Sequence, residues 1–376
     1  MRVDAIAATR HDTLARTDYA LLAAHGLRSA RDGLRWHLID RGGAYDWSSW
    51  LPQLRAAREA GVQVIWDVMH WGYPDDLDFH TPAFVERFAK FARAAARVHA
   101  AETGDAPLWV AVNEMSFWAW IAGDGAHWAP YGGGEEVKIQ AVRAALAATA
   151  ELRAVDARAR MVTSEPMVQI HPPENADEGR VTEAFWANNA QFQALEMLLG
   201  LYRPELGGHA GAVDLIGCNY YTNNQWALYG STVPAGAPHY RPLGALLADM
   251  HARFGRPLYI SETGCEGGFR AAWLHYVASE VAAVRARGTP VEGICLYPIL
   301  DHPGWDDGRH CPNGLFDGVG DRAVNVEFLA EVRAQQARFV LSEPLTWRLR
   351  PCTGGGRHTG VPPRIDDRAP TVLHWF

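Results

Sequence analysis

Two glutamates each stand at the end of a short apolar run of the sequence. Glu114 follows the run LWVAVN, and Glu262 follows LYIS. Burying a carboxylate at such a position is costly unless it is paired or its pKa shifts. Cleavage of an acetal needs one protonated carboxyl for the leaving oxygen and one ionised carboxylate for the developing cation. The two glutamates are therefore candidates for acid-base and nucleophilic catalysis at a glycosidic bond.

Further polar residues occur at or near the ends of other apolar runs. Arg31 would hold one glutamate ionised and so separate the two pKa values. The remaining candidates at these positions are His70, Asn113, Asn219 and Tyr221. Glu165 ends another run, where Pro166 fits the start of a loop, and is interpreted as a carboxylate without a special role. Its pairing with one of the two glutamates is an alternative that leaves the segment SETG unexplained.

The pattern of elements places these residues at one end of a barrel. Short apolar runs alternate with Ala/Arg/Leu-rich stretches of helical period, which predicts repeated βα units. The predicted strands are residues 3–8, 27–36, 62–69, 108–113, 160–164, 213–219, 257–261 and 292–299. The longer predicted helices are residues 82–101, 136–157, 182–199 and 269–287. Eight repeats predict a (β/α)8 barrel, a TIM barrel, whose chemistry gathers at the carboxyl ends of its strands; a doubly wound sheet is the alternative.

The domain organisation follows from the absence of a Ser/Gly linker in the first part of the chain. Residues 1–345 are predicted to form a single α/β domain, the catalytic barrel. Residues 346–376 are rich in Gly, Pro and Arg and show no helical period. The apolar end of this tail, residues 372–376, favours its packing on the barrel over disorder.

Charge and composition exclude several classes of protein. The 376 residues carry a net charge of -8, without the basic surface of a protein that binds nucleic acid or anionic membranes. Five scattered cysteines without CxxC spacing indicate neither a disulfide framework nor a zinc site. The sequence has no signal-peptide pattern, which indicates a cytoplasmic protein. GxSxG, HExxH and P-loop motifs are missing, so no cofactor or metal is expected.

Six segments, in this order, resemble glycoside hydrolase family 1, the β-glucosidase family of the retaining (β/α)8 clan. They are DYALLAAHGLRSARDGLRW, HWGYP, LWVAVNEMSFW, VDLIGCNYYT, RPLYISETG and GICLYPILDHPGWDDG. The resemblance covers roughly residues 16–317. It implies a β-glycosidase that acts on a small β-linked carbohydrate or glycoside, with retention of configuration through a covalent glycosyl-enzyme.

The resemblance also implies roles for individual residues. Glu262 is the nucleophile, and Glu114 is the general acid and base. The supporting residues are Arg31 and Tyr221 on the nucleophile, Asn113 on the sugar 2-hydroxyl, His70 on other sugar hydroxyls, and Trp305 at the sugar.

The sequence departs from the family at the sugar-binding end. Tyr297 stands where the family has a tryptophan platform, and Gly304 where it has a glutamate that binds the 4- and 6-hydroxyls. The glutamine of the family's first strand has no clear match, and Arg10 and His11 are the nearest polar residues. A substrate that differs from glucose at the 4- or 6-position is therefore expected. The bond before Pro298 is expected to be cis, as in the family.

Two other functions would use the same residues. A transglycosidase differs only in whether its acceptor site excludes water. A non-catalytic carbohydrate-binding barrel would keep the aromatic residues, of which 15 are tryptophans, but usually lacks one catalytic carboxylate. Nothing in the sequence specifies an oligomeric state.

Overall fold

The computed structural model describes residues 4–125, 129–305, 307–339 and 372–375 of the chain. Its main sheet consists of nine strand segments, all paired in parallel. In chain order they are β1 (Ser29–Gly33), β2 (Gln63–Met69), β3 (Leu108–Val112), β4 (Arg160–Met161), β5 (Glu165–Pro166), β6 (Ile216–Asn219), β7 (Leu258–Thr263), β8 (Val291–Leu296) and β9 (Val372–Trp375). Strands β1 to β8 are largely buried on both faces, as parallel strands covered by helices must be.

The sheet closes on itself. Its strand order is β4-β3-β2-β1-β9-β8-β7-β6-β5, and the end members β4 and β5 belong to one stretch of chain. Between them, Val162 forms a parallel bridge with Leu215 and donates its amide to the carbonyl of Trp109. The eight strand positions therefore form a ring, and the chain folds as the predicted (β/α)8 barrel.

The predicted strand at residues 3–8 is wrong. Ala5–Ala8 form a single helical turn, α1. The carboxylate of Asp4 accepts the amide of Ala7 at 3.0 Å and so caps this turn. Alanine has the highest helix propensity, and a capping aspartate satisfies an amide that the turn leaves free. These local preferences outweigh the short apolar run from which the strand was predicted.

Strand β9 occupies the ring position between β1 and β8. Its His374 stands in register with Ser29 on one side and with Cys295 on the other. The strand belongs to the predicted tail, residues 346–376, of which the described residues include only Val372–Trp375.

Helices surround the ring. In the described part of the chain they are α1, α2 (His11–Ala24), α3 (Trp36–Ile39), α4 (Leu51–Ala60), α5 (Pro82–Thr103), α6 (Met115–Trp118), α7 (Gly134–Val155), α8 (Glu178–Asn189), α9 (Gln193–Leu198), α10 (Leu243–Phe254), α11 (Arg270–Ala286) and α12 (Val326–Arg338). The helices predicted at 82–101, 136–157 and 269–287 are observed as α5, α7 and α11, and the one at 182–199 is divided by a 3-10 turn at Ala190–Phe192. No helix in these ranges is both long and apolar enough to cross a bilayer.

Side chains alternate along the strands between the interior of the barrel and its helical layer. The interior positions form their own buried cluster: Ile65, Leu108, Val110, Val162, Leu215, Tyr259 and Cys295. The intervening Trp66 and Trp109 belong to the larger core that the helices share. Arg31 on β1 is in register with Ile65 on β2, and Asp67 lies two residues beyond Ile65 on β2. Both charged side chains therefore face the interior, near the carboxyl ends of the strands.

Candidate active site

Glu262, on β7, is buried with two donors and one further hydroxyl around its carboxylate. The Nη1 atom of Arg31 donates to its Oε1, and the hydroxyl of Tyr221 donates to its Oε2 at 2.7 Å. The Oγ atom of Ser164 lies 3.5 Å from Oε1. A guanidinium charge and a hydroxyl donor stabilise the ionised form of a buried carboxylate.

Arg31, on β1, is fixed by groups from three strands. Its Nε and Nη2 atoms donate to the two carboxylate oxygens of Asp67 on β2, at 2.9 and 2.5 Å. Nη2 also donates to Oδ1 of Asn113, which follows β3. Burial alone would lower the pKa of Arg31, but the charges of Asp67 and Glu262 raise it well above its ordinary value. The guanidinium is therefore a permanent, oriented cation beside Glu262.

Asp67 is a site residue that the sequence reasoning missed. Burial opposes its ionisation, but the charge of Arg31 lowers the pKa of Asp67 below its ordinary value. Its Oδ2 lies 3.1 Å from Nδ1 of His70, and Nε2 of that histidine lies 3.1 Å from Nδ2 of Asn113. A lone carboxylate within the apolar strand QVIWDVM was the available signal, because such a group needs a buried cation as partner.

Glu114 follows β3 and is buried in a left-handed backbone conformation, with φ 42° and ψ 56°. Its Oε1 accepts a hydrogen bond from Nδ2 of Asn219 at 2.8 Å. Burial, and after it the negative charge of Glu262, raises the pKa of Glu114 well above its ordinary value. The two glutamates thus have different surroundings: Glu262 contacts a guanidinium charge, whereas burial and a neighbouring negative charge favour the protonated form of Glu114.

Asn219, at the end of β6, connects the surroundings of the two glutamates. While its Nδ2 atom donates to Glu114, its Oδ1 atom accepts the hydroxyls of Ser164 at 2.9 Å and of Ser261 at 2.5 Å. The Ser164 hydroxyl also contacts Glu262. Both the nitrogen and the oxygen of the Asn219 side-chain amide are therefore hydrogen-bonded, which fixes the orientation of this amide.

Aromatic rings form one wall of the site. The ring centroids of Tyr221 and Tyr297 lie 6.4 Å apart, those of Tyr297 and Trp305 6.5 Å, and those of Trp305 and Trp71 6.1 Å. Trp305 is 39% exposed, so part of its side chain lies at the surface of the site. The indole of Trp71 donates to the backbone carbonyl of Asn113 at 2.8 Å. Flat rings beside hydrogen-bonding groups suit a sugar.

The structure also locates the residues at which the sequence departs from the family. The bond between Tyr297 and Pro298 is cis, as predicted. A Cβ atom at Gly304 would lie 2.5 Å from Oδ1 of Asp307, so a side chain here would require the exposed Asp307 carboxylate to move. The ring nitrogens of His11 are engaged by two carboxylates, at 2.8 and 3.1 Å. Arg10 is exposed. Because both ring nitrogens of His11 are engaged, this residue is not free to replace the missing glutamine.

The arrangement is suited to acid-base and nucleophilic chemistry. It presents at β7 a carboxyl that Arg31 and Tyr221 contact, and after β3 a carboxyl with a raised pKa, with amide, imidazole and indole groups around them. Among the residues that the structure describes, no three His, Cys, Asp or Glu side chains are grouped as a metal site would require. The fold and the site together define a (β/α)8 barrel with a pair of buried glutamates at the carboxyl ends of its strands.

Comparison with known proteins adds a likeness of fold. The sequence matches no protein-family model and no curated protein. A family 1 β-glucosidase from Thermotoga maritima superposes with a TM-score of 0.73 at 15% identity, over 87% of this chain and 86% of that one. The T. maritima β-glucosidase in complex with castanospermine gives 0.72 at 14%, over 88% and 87% of the two chains. A structure described as the AHE enzyme from Alicyclobacillus herbarius gives 0.75 at 19%, over 87% and 88%. This chain therefore has the barrel fold of family 1 β-glucosidases.

Proposed function

We propose that this protein is a retaining β-glycosidase that hydrolyses β-linked glycosides through a covalent glycosyl-enzyme. The observation that carries the proposal is the opposite environment of the two buried glutamates. Glu262 accepts hydrogen bonds from Arg31 and Tyr221, whereas burial and a neighbouring negative charge raise the pKa of Glu114. A double displacement needs one carboxylate and one carboxylic acid at the same bond. The barrel's likeness to β-glucosidases supports the same function.

The first step forms the covalent intermediate. A carboxylate oxygen of Glu262 attacks the anomeric carbon, and the bond from that carbon to the leaving oxygen breaks. Glu114 transfers its proton to the leaving oxygen, so that an alcohol departs and Glu114 becomes a carboxylate. Asn113, which Arg31 and His70 hold in place, is positioned to bind the 2-hydroxyl of the sugar.

The second step releases the sugar. With a carboxylate at Glu114, a water molecule loses its proton to this group and attacks the anomeric carbon. The bond to Glu262 breaks, and the second inversion restores the original configuration. Both glutamates return to their starting protonation states.

The substrate is expected to differ from a plain glucoside at the 4- or 6-position. The family's glutamate for these hydroxyls is replaced by Gly304, which has no side chain to bind them. Loss of a carboxylate removes a charge-assisted hydrogen bond to the sugar. Tyr297 also offers a smaller platform than tryptophan. A measured preference for unmodified β-glucosides would contradict this part of the proposal.

The proposal is tested by trapping the intermediate. The protein is incubated with dinitrophenyl 2-deoxy-2-fluoro-β-glycosides that vary at the 4- and 6-positions, and its intact mass is then measured. We expect one sugar per chain and, after peptide mapping, its attachment to Glu262. Proton NMR of the product from an ordinary aryl β-glycoside is expected to show the β-anomer first.

Two variants provide the controls. Glu262→Gln keeps the size of the side chain but has no nucleophilic carboxylate, so it is expected to remain unlabelled. Glu266→Gln changes a nearby carboxylate that Arg309 binds at 2.7 and 2.9 Å, and is expected to label like the wild type. A folded protein that no sugar in the panel labels, or a label on another residue, contradicts the proposal. An adduct that alcohols discharge faster than water indicates a transglycosidase.

A further inference from the structure

Glu165 is a buried carboxylate whose contacts lead directly to Glu114. It lies on β5 and is only 5% exposed. Its Oε1 accepts the backbone amide of Met115 at 2.7 Å, and its Oε2 accepts that of Ser116 at 3.0 Å. These are the two residues that follow Glu114 in the chain. The interpretation of Glu165 as a carboxylate without a special role does not account for this bidentate contact.

A third hydrogen bond joins the same two segments. The backbone amide of Glu114 donates to the carbonyl of Ser164 at 2.8 Å. Three consecutive amides, of residues 114 to 116, are therefore held by two consecutive residues of the neighbouring strand position. Together, these three hydrogen bonds fix both the position and the direction of the turn that carries the Glu114 side chain.

The turn needs this support because of its conformation. The φ of 42° at Glu114 lies in the left-handed region, which residues with a Cβ atom rarely adopt unless their surroundings impose it. A carboxylate that accepts two amides binds them more strongly than a neutral acceptor would. Glu165 supplies the acceptors for two of the three hydrogen bonds that join this turn to the neighbouring strand position.

We propose that Glu165 is a positioning residue for the general acid: its two oxygens fix the strained turn that aims Glu114 at the leaving oxygen. This inference rests on the proposed glycosidase function. It assigns to Glu165 no contact with the substrate and no proton transfer. It also separates Glu165 from the nucleophile, because its hydrogen bonds lead to residues 115 and 116 and none leads to Glu262.

The test is the dependence of activity on the leaving group. Glu165→Gln keeps the volume of the side chain but retains one acceptor oxygen for two amides, and Glu165→Asp keeps the charge on a shorter side chain. For both variants we expect kcat/KM to fall by about 10- to 100-fold for phenyl β-glycosides, whose leaving group needs a proton. For dinitrophenyl β-glycosides, which need little protonation, we expect less than about a threefold change.

A pH profile separates the two variants. The charged groups facing Glu114 are Glu262 on β7, Arg31 on β1 and Glu165 on β5, and Lys138 on α7 faces Glu165 in turn. Burial raises the pKa of Glu165 to about 7, and its negative charge contributes to the raised pKa of Glu114. Glu165→Gln is therefore expected to move the alkaline limb of kcat/KM to lower pH, whereas Glu165→Asp is expected to leave it in place.

The matched control is Glu280→Gln on α11. Glu280 also accepts a backbone amide, that of Gly244 at 2.9 Å, but on the helical layer. We expect the Glu280→Gln variant to show the same dependence of kcat/KM on the leaving group as the wild type. Equal losses on phenyl and dinitrophenyl glycosides, or a wild-type dependence in both Glu165 variants, would overturn the inference and leave the glycosidase function intact. A folded wild-type protein that hydrolyses neither class of glycoside would instead overturn the proposed function.

Discussion

Removing the hydrogen bond from Asn219 to Glu114 should move the activity profile toward higher pH. Asn219 donates to Oε1 of Glu114 at 2.8 Å, and this contact favours the ionised carboxylate. In Asn219→Ala the donor is gone, so the pKa of Glu114 rises further. A general acid with a higher pKa remains protonated to higher pH, and the alkaline limb of kcat/KM therefore moves upward.

The size of the shift follows from the strength of the lost bond. A hydrogen bond to a charged group contributes about 1.5 to 3 kcal/mol, and one pKa unit corresponds to about 1.4 kcal/mol. These values limit the shift to roughly two units. Water that enters the space left by the asparagine will replace part of the bond, so the expected shift is about one unit.

The assay measures kcat/KM for a phenyl β-glycoside between pH 5 and 10, with thermal unfolding at both ends of the range as a check of folding. Ser164→Ala is the matched control. It removes a donor to Oδ1 of Asn219 but leaves the bond between Asn219 and Glu114, so its alkaline limb is expected at the wild-type pH. If the alkaline limb of kcat/KM for the Asn219→Ala variant stays at the wild-type pH or moves to lower pH, the reasoning is refuted.

Three further predictions concern stability. Asp67→Asn leaves the buried Arg31 without its main counter-charge. Urea titration should show that the free energy of unfolding falls by about 3 kcal/mol. A decrease below about 1 kcal/mol would count against this pairing. Burial opposes protonation of His11, but two neighbouring carboxylates raise its pKa to about 9. Its contribution to stability is therefore complete below pH 6.5 and is lost as the pH rises through about 9, by up to about 3 kcal/mol. His11→Gln should flatten this pH dependence of unfolding, and an unchanged curve would contradict the assignment. Deleting residues 372–376 should accelerate amide hydrogen exchange in β1 and β8, which lose a backbone partner; unchanged exchange there would argue against the observed pairing.

Much of the barrel was predictable because apolar strands and amphipathic helices alternate so regularly. The failure at residues 3–8 has a local cause, since an aspartate cap and a run of alanines make a helical turn. Its other cause is distant: the strand in that ring position comes from residues 372–375, and no periodicity in a sequence reveals which strands become neighbours. Seven of the eight predicted strands nevertheless overlap strands of the barrel.

In the site, too, residues that are marked by their sequence neighbours could be predicted, whereas residues whose roles depend on distant contacts could not. Glu114 and Glu262 were found because each ends an apolar run. Asp67 was missed because its role depends on Arg31, 36 residues earlier in the chain. The contacts of Glu165 were missed for a different reason: they are made to backbone amides, which every residue carries and which no sequence motif marks.

The position of β9 has a consequence for how the chain acquires its structure. Strands β1 and β8 each have one of their two neighbouring strands in residues 372–375, which are synthesised long after β1. Until then, a nascent chain holds an open sheet with two unpaired edges, and such edges readily pair with other chains. Closure of the ring is therefore an event that follows translation of the last strand. The dependence of folding on chaperones should be concentrated in that interval.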